Sequence, residues 1–238
     1  MKRIFILSVF CLFIILAGTN YLVAQNKADV FVLSTLHQYH ETSKYYSFEE
    51  LSRIVEEIDP DILAVELTAD DLKSRKDQKV KQEYQRSIFP LIEKHKYQAV
   101  PLEPAEPLFS ALLKLYKESS DENQAKSPQK VEAFSVYSNS LYDHLFKQWD
   151  SPRDVNSKMT DTLFELKHDF QNALFGEKEA KVWNDWNTHF LETITKAAEQ
   201  NRGKKILVVV GVEHSYWLRG HLRKEAGVNY REIETVIK

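Results

Sequence analysis

The chain has 238 residues, with 32 Lys and Arg against 35 Asp and Glu and a formal charge of −3, so a basic surface for nucleic acid is not expected. Its single cysteine, Cys11, lies in an apolar N-terminal stretch. The rest of the chain therefore has no disulfide framework and no thiolate metal site, and any metal would be held by His, Asp, Glu or backbone oxygen.

Residues 1–25 read as a signal peptide. Lys2 and Arg3 form the basic start, Ile4 to Ala17 the apolar stretch, and Ala24 offers a small residue for cleavage. Ser-Val-Phe before Cys11 is a poor lipidation site. The expectation is a periplasmic or secreted protein, touching a membrane only through this segment before cleavage. Residues 26–238 are of a size for one domain with a single core.

Asp29 to Leu36 opens the mature chain as a buried strand, its run Val30-Phe31-Val32-Leu33 leading into Ser34-Thr35-Leu36-His37, with His40 just beyond. Ser47 begins a Ser-x-x-Glu capping box, and Leu51, Ile54, Val55 and Ile58 follow at helical spacing until Asp59-Pro60-Asp61. Ile62 to Val65 is a second buried strand ending at Glu66. A strand–helix–strand unit implies a parallel crossover, which puts Glu66 on the same sheet edge as His37. Residues 69–94, rich in Lys, Asp, Gln and Arg with a break at Pro90, read as a solvated helix face. Tyr97 to Leu102 is a third strand. Glu103 leaves its end, either as a site carboxylate or as favourable charge at the start of the next helix.

Residues 105–200 form a helical insertion, broken at Ser119 to Pro128 and at Asp150 to Arg153, that caps the sheet edge and so can contribute substrate contacts. Phe134, Tyr137, Leu141, Leu145 and Phe146 form one apolar stripe, and Leu163, Leu166, Phe170 and Leu174 another; both are expected in the core. In its last helix Trp183, Trp186, Phe190, Leu191, Ile194 and Ala198 mark the buried face. Asn187 lies among them, and a buried amide needs a partner, either a site ligand or a backbone group.

Ile206 to Val210 is the most apolar strand, and it runs into Gly211-Val212-Glu213-His214. Residues that follow a buried parallel strand face the crevice where open α/β sheets place their sites. Two small-x-x-His patterns, ending at His37 and His214, thus point to one edge. A helix from Tyr216 to Glu225 and an edge strand from Tyr230 to Val236 complete an α/β fold: a mostly parallel central sheet with flanking helices.

The series Ser34-Thr35-Leu36-His37, Asp61 to Leu67, Trp186-Asn187 and Val210 to His214 resembles the TraB/GumN and Tiki group, related in fold to ChaN-like and erythromycin-esterase-like proteins. The resemblance implies a single domain, with metal-dependent proteolysis as in Tiki members or haem binding as in ChaN-like members. This sequence departs from the pattern at Ser34, Trp186 and Glu213, where the group has glycine, a charged residue and a small residue.

From the residues themselves, His37, Glu66 and His214 make a donor set suited to Mn, Fe, Co or Zn. A bound metal would activate water for hydrolysis of a peptide or ester bond, with Glu103 or Glu213 as general base and Asn187 as a supporting residue. The alternative is capture of haem or another small ligand without catalysis, with His40, Tyr45, Tyr46 or Tyr216 as axial ligand. A Ser-His-Asp hydrolase is disfavoured by the lack of a Gly-x-Ser-x-Gly turn.

Overall fold

Val30 to Leu33 contains no polar position, and in the computed structural model, which describes residues 27–237, this run lies within an eight-residue strand, Ala28–Thr35 (β1), covered on both faces. The expected signal peptide, residues 1–25, lies outside the described residues. Helix Phe48–Ile58 (α1) is capped as its sequence requires: the Ser47 hydroxyl accepts from the Glu50 N–H, and the left-handed Asp59 ends it. Then come β2 (Ile62–Val65), a short helix α2 (Ala69–Ser74), a π-helical turn Tyr84–Ile88 running into α3 (Phe89–His95), and β3 (Gln98–Pro101). Five helices follow: α4 (Leu108–Lys126), α5 (Pro128–Gln148), α6 (Pro152–Val155), α7 (Lys158–Phe175) and α8 (Glu177–Gln200). β4 (Lys205–Gly211), α9 (Val212–Leu222) and β5 (Val228–Tyr230) close the described chain.

The five strands are parallel, in the order β3-β2-β4-β1-β5. Side chains alternate between the two faces, so each strand needs apolar residues at every position to bury both. Leu33, Leu63, Leu207 and Val209 pack with Leu51, Ile54 and Val55 of α1, whereas Val30, Val32, Ala64 and Val208 pack with Phe190, Ile194 and Ala198 of α8. Because β4 lies between β1 and β2, the segments that leave these three strands are neighbours. Among the described residues no helix is long and apolar enough to cross a membrane.

Several elements differ from expectation. The break expected at Ser119 to Pro128 narrows to Ser127, since Ser119 is buried against Glu179 and the i,i+4 pairs Lys117–Asp121 and Lys126–Glu122 support helix through the polar stretch. The two apolar stripes of the insertion reach the core only in part, with Leu141, Phe146 and Leu163 half-buried against it. Only Leu145 of the α5 stripe is buried, and in α7 Leu166 is 54% and Phe170 42% exposed. The buried face of α7 is instead Thr160, Phe164, Lys167 and His168, turned inward by polar partners described below. The edge strand β5 lies at Val228–Tyr230 and shares only Tyr230 with the expected Tyr230 to Val236, where a 3-10 turn, Ile233–Thr235, is found instead. α9 starts directly at Val212, so Glu213 and His214 belong to its first turn.

Candidate functional site

His37, Glu66 and His214 come to one edge of the sheet, from the ends of β1, β2 and β4. His37 stands two residues beyond the strand end, with φ +50°, a left-handed conformation uncommon for a histidine. That backbone turn directs its ring across β4: a methyl group on Gly211 would lie 2.5 Å from His37 Nε2 and 2.9 Å from Cε1. The other ring nitrogen, Nδ1, is 2.8 Å from Oε1 of Glu83, which is fully buried and also accepts from the Thr35 hydroxyl at 2.9 Å. Burial lowers the His37 pKa, but the Glu83 charge and hydrogen bond, with help from Glu66, outweigh it and leave the value above 6.5. His37 and Glu83 thus form an imidazole–carboxylate pair whose free nitrogen, Nε2, faces Gly211.

Glu66 is buried, yet Lys81, His214, His37 and the Gly211 N–H together hold its carboxyl well below the ordinary range against the cost of burial. Its Oε2 accepts from the Gly211 N–H at 2.7 Å, and its Oε1 lies 2.9 Å from Lys81 Nζ and 3.9 Å from His214 Nε2. Lys81 also donates to Glu103 Oε1 at 2.7 Å, and Glu103 Oε2 accepts from Trp186 Nε1 at 2.8 Å. Burial pushes Glu103 up, only partly opposed by Lys81. Tyr84 fixes the backbone here: its hydroxyl accepts from the Glu66 N–H and donates to the Val209 carbonyl.

His214 Nδ1 is 2.9 Å from Asn187 Oδ1, and the amide's own N–H group donates to the Trp183 carbonyl, which fixes which end of the amide faces the ring. His214 therefore carries its proton on Nδ1 and presents a lone pair on Nε2. Burial lowers its pKa to about 4, so it is neutral at ordinary pH. Trp183 stacks between His214 and His168, at 4.7 and 3.9 Å between ring centroids. Glu213 accepts from the Tyr142 hydroxyl and from Lys167 Nζ at 2.8 Å, and lies 3.3 Å from His168 Nε2. Despite burial, these donors hold its carboxyl well below the usual range. A carboxylate so fully engaged is a weak proton acceptor.

His40, expected at a cofactor, is instead a structural residue. Its Nε2 accepts from the Leu36 N–H and its Nδ1 bonds the Tyr46 carbonyl, which fastens the turn that carries His37 and leaves no nitrogen for an iron. Lys81, Glu83 and Tyr84 were not expected at the site, because residues 69–94 read as a solvated face. Their signal is Tyr84, Ile88 and Phe89 at helical spacing, but nothing local marks a buried Glu83 whose partner is 46 residues away.

Thr35, Leu36, His37, Gly211, Val212, Glu213 and His214 line a cavity of about 190 Å³. Tyr39, Tyr142 and Phe146 are shared with an adjoining cavity of about 420 Å³, which gives an extended molecule a route to His37. In kind, two imidazoles with anchored Nδ1 atoms and one ionised carboxylate suit a divalent metal. In arrangement they do not: the Lys81 ammonium already sits on Glu66 Oε1, and among the described residues no three His, Asp or Glu side chains are grouped to hold an ion.

Gly211→Ala should test the close packing of this site. The added methyl cannot share space with the His37 ring, so the ring must shift from Glu83, and the His37 resonance, followed by NMR titration, should move to a lower pKa. Retention of the wild-type titration would refute the geometry. Comparison with protein-family models, with curated proteins and with solved structures returned no match.

Proposed function

We propose that this chain hydrolyses an ester or peptide bond, with His37 as general base. The observation that carries this reading is the His37–Glu83 pair: an imidazole anchored on a fully buried carboxylate and lining a cavity large enough for an acyl group. A base whose pKa is raised from the ordinary imidazole value by its carboxylate partner suits proton abstraction near neutral pH.

In this mechanism water bound near Nε2 adds its oxygen to the substrate carbonyl and gives its proton to His37, and Glu83 stabilises the resulting imidazolium. The first turn of α9 lines the same cavity, and its N–H groups, which have no partner within the helix, offer donors to the negative oxygen. His37 then returns the proton to the departing alkoxide or amine. His214, neutral and fixed by Asn187, accepts the second proton of the water in a hydrogen bond. Glu103 and Glu213, whose oxygens are engaged, act as fixed charges that hold Lys81 and the α5–α7 wall in place. The resemblance to the TraB/GumN and Tiki group, whose Tiki members are regarded as metal-dependent proteases, supports the class of bond cleaved and not the metal-free route.

The test is the pH profile of hydrolysis of 4-nitrophenyl esters and of a peptide library. kcat/KM should rise along a limb displaced upward from the ordinary imidazole range. Glu83→Gln removes the charge that raises His37 and leaves the burial that lowers it, so the limb should move to lower pH and the plateau should fall. A limb that stays in place, or a protein inert toward both substrate sets, refutes the proposal.

A further inference from the structure

We infer that Lys81 is the site's own cation: its ammonium fills the place beside Glu66 that a divalent metal would take, so that the site works without one. Three carboxylates, Glu66, Glu83 and Glu103, are buried at these strand ends, and among the described residues Lys81 is the lysine that pairs with Glu66 and Glu103. Its three protons match three acceptors: Glu66 Oε1 at 2.9 Å, Glu103 Oε1 at 2.7 Å and the Glu66 carbonyl at 3.0 Å.

This lysine is held in the site. Three residues on, Tyr84 is fully buried and bonded to the backbone of both β2 and β4, which fixes the segment that carries Lys81, and the lysine side chain itself is only 22% exposed. A divalent ion on Glu66 Oε1 would meet this ammonium as a like charge in direct contact. The donors that the loss of this charge would free are few: His214 Nε2 is 3.9 Å from the same oxygen, and His37 Nε2 faces Gly211, whose N–H holds the other. Lys81 is thus a positioning residue. It keeps Glu66 ionised and turned toward Gly211 N, which sets the backbone against which His37 packs.

The experiment is titration of protein without a histidine tag with Co2+, followed by calorimetry and visible absorption. The wild type should show no saturable binding tighter than about 1 mM. Lys81→Met removes the charge and keeps most of the stem; it should bind one Co2+ at least about tenfold more tightly, with the absorption of imidazole ligation, and Glu66→Gln in that background should abolish it. Lys81→Arg keeps the charge and should still reject the ion. If Lys81→Met does not fold, Lys81→Gln replaces it. Stoichiometric Co2+ binding by the wild type, or a folded Lys81→Met that binds no better, overturns the inference. It rests on the hydrolase reading only for turnover, which EDTA should leave unchanged and which Co2+ or Mn2+ should not be needed to restore. A protein that turns over no ester or peptide defeats that reading, and the Co2+ titration still decides the role of Lys81.

Discussion

His37→Asn should reduce kcat/KM roughly 100- to 10,000-fold, the usual contribution of a positioned general base. Asparagine is chosen because position 37 has φ +50°, a region that asparagine tolerates better than most residues, so the backbone turn survives and only the imidazole is lost. A fold unchanged by circular dichroism with a rate near that of buffer is the expected result; activity within a few fold of wild type would end the assignment. Stability carries a second signature. The folded-state pKa of His37 is raised, so its pairing with Glu83 adds stability that is complete below about 6.5 and disappears as pH rises through the folded value. The stability deficit of His37→Asn should therefore be larger at pH 5.5 than at pH 8.5. A deficit that does not change with pH would mean that His37 gains no charge in this range.

The strand ends were legible because they rest on rules that act over a few residues. An unbroken apolar run such as Ile206 to Val210 can only be a strand with both faces covered, and parallel strands deliver their following residues to one edge. This placed His37, Glu66 and His214 together, and the helical spacing around Asn187 put its amide in the interior, where it meets His214. What could not be read depends on pairings across long separations. Glu83 is buried because His37 and Thr35 receive it, Lys81 because Glu66 and Glu103 do, and Lys167 and His168 because Glu213 draws them in. In the sequence each looks like an ordinary solvent-facing charge. The α7 stripe failed for the same reason: the inward face was chosen by a carboxylate on α9, and Leu166 and Phe170 were left outside.

Arg219→Ala should be the most damaging single substitution to stability outside the sheet. Arg219 is only 2% exposed, and its guanidinium donates to Asp161 Oδ1 at 2.7 Å, to Asn156 Oδ1 at 2.7 Å, to the Ser34 hydroxyl at 2.9 Å and to the Val32 carbonyl at 3.0 Å. Asn156 in turn accepts from the Ser34 N–H at 2.8 Å. One side chain thus ties α9, α7 and the α6–α7 junction to the end of β1, three residues before His37. Truncation leaves Asp161 largely buried without its cation and strips several buried acceptors of their donor. Loss of one member of a buried pair costs about 3 to 5 kcal/mol, against about 5 to 15 kcal/mol for a whole domain. For a chain of this size that is a fall in Tm of roughly 10 °C. Asp161 already has its carboxyl raised by burial, which Arg219 partly offsets, so in the variant it should rise further and add instability as pH increases from the ordinary carboxylate range toward the raised value. Arg219→Met combined with Asp161→Asn, which removes both charges and fills the space, should recover much of the loss. Urea melts at pH 5.5 and 7.5 decide it: a loss under about 1 kcal/mol at both, the range of a surface pair, would show that this network contributes little to holding the insertion on the sheet.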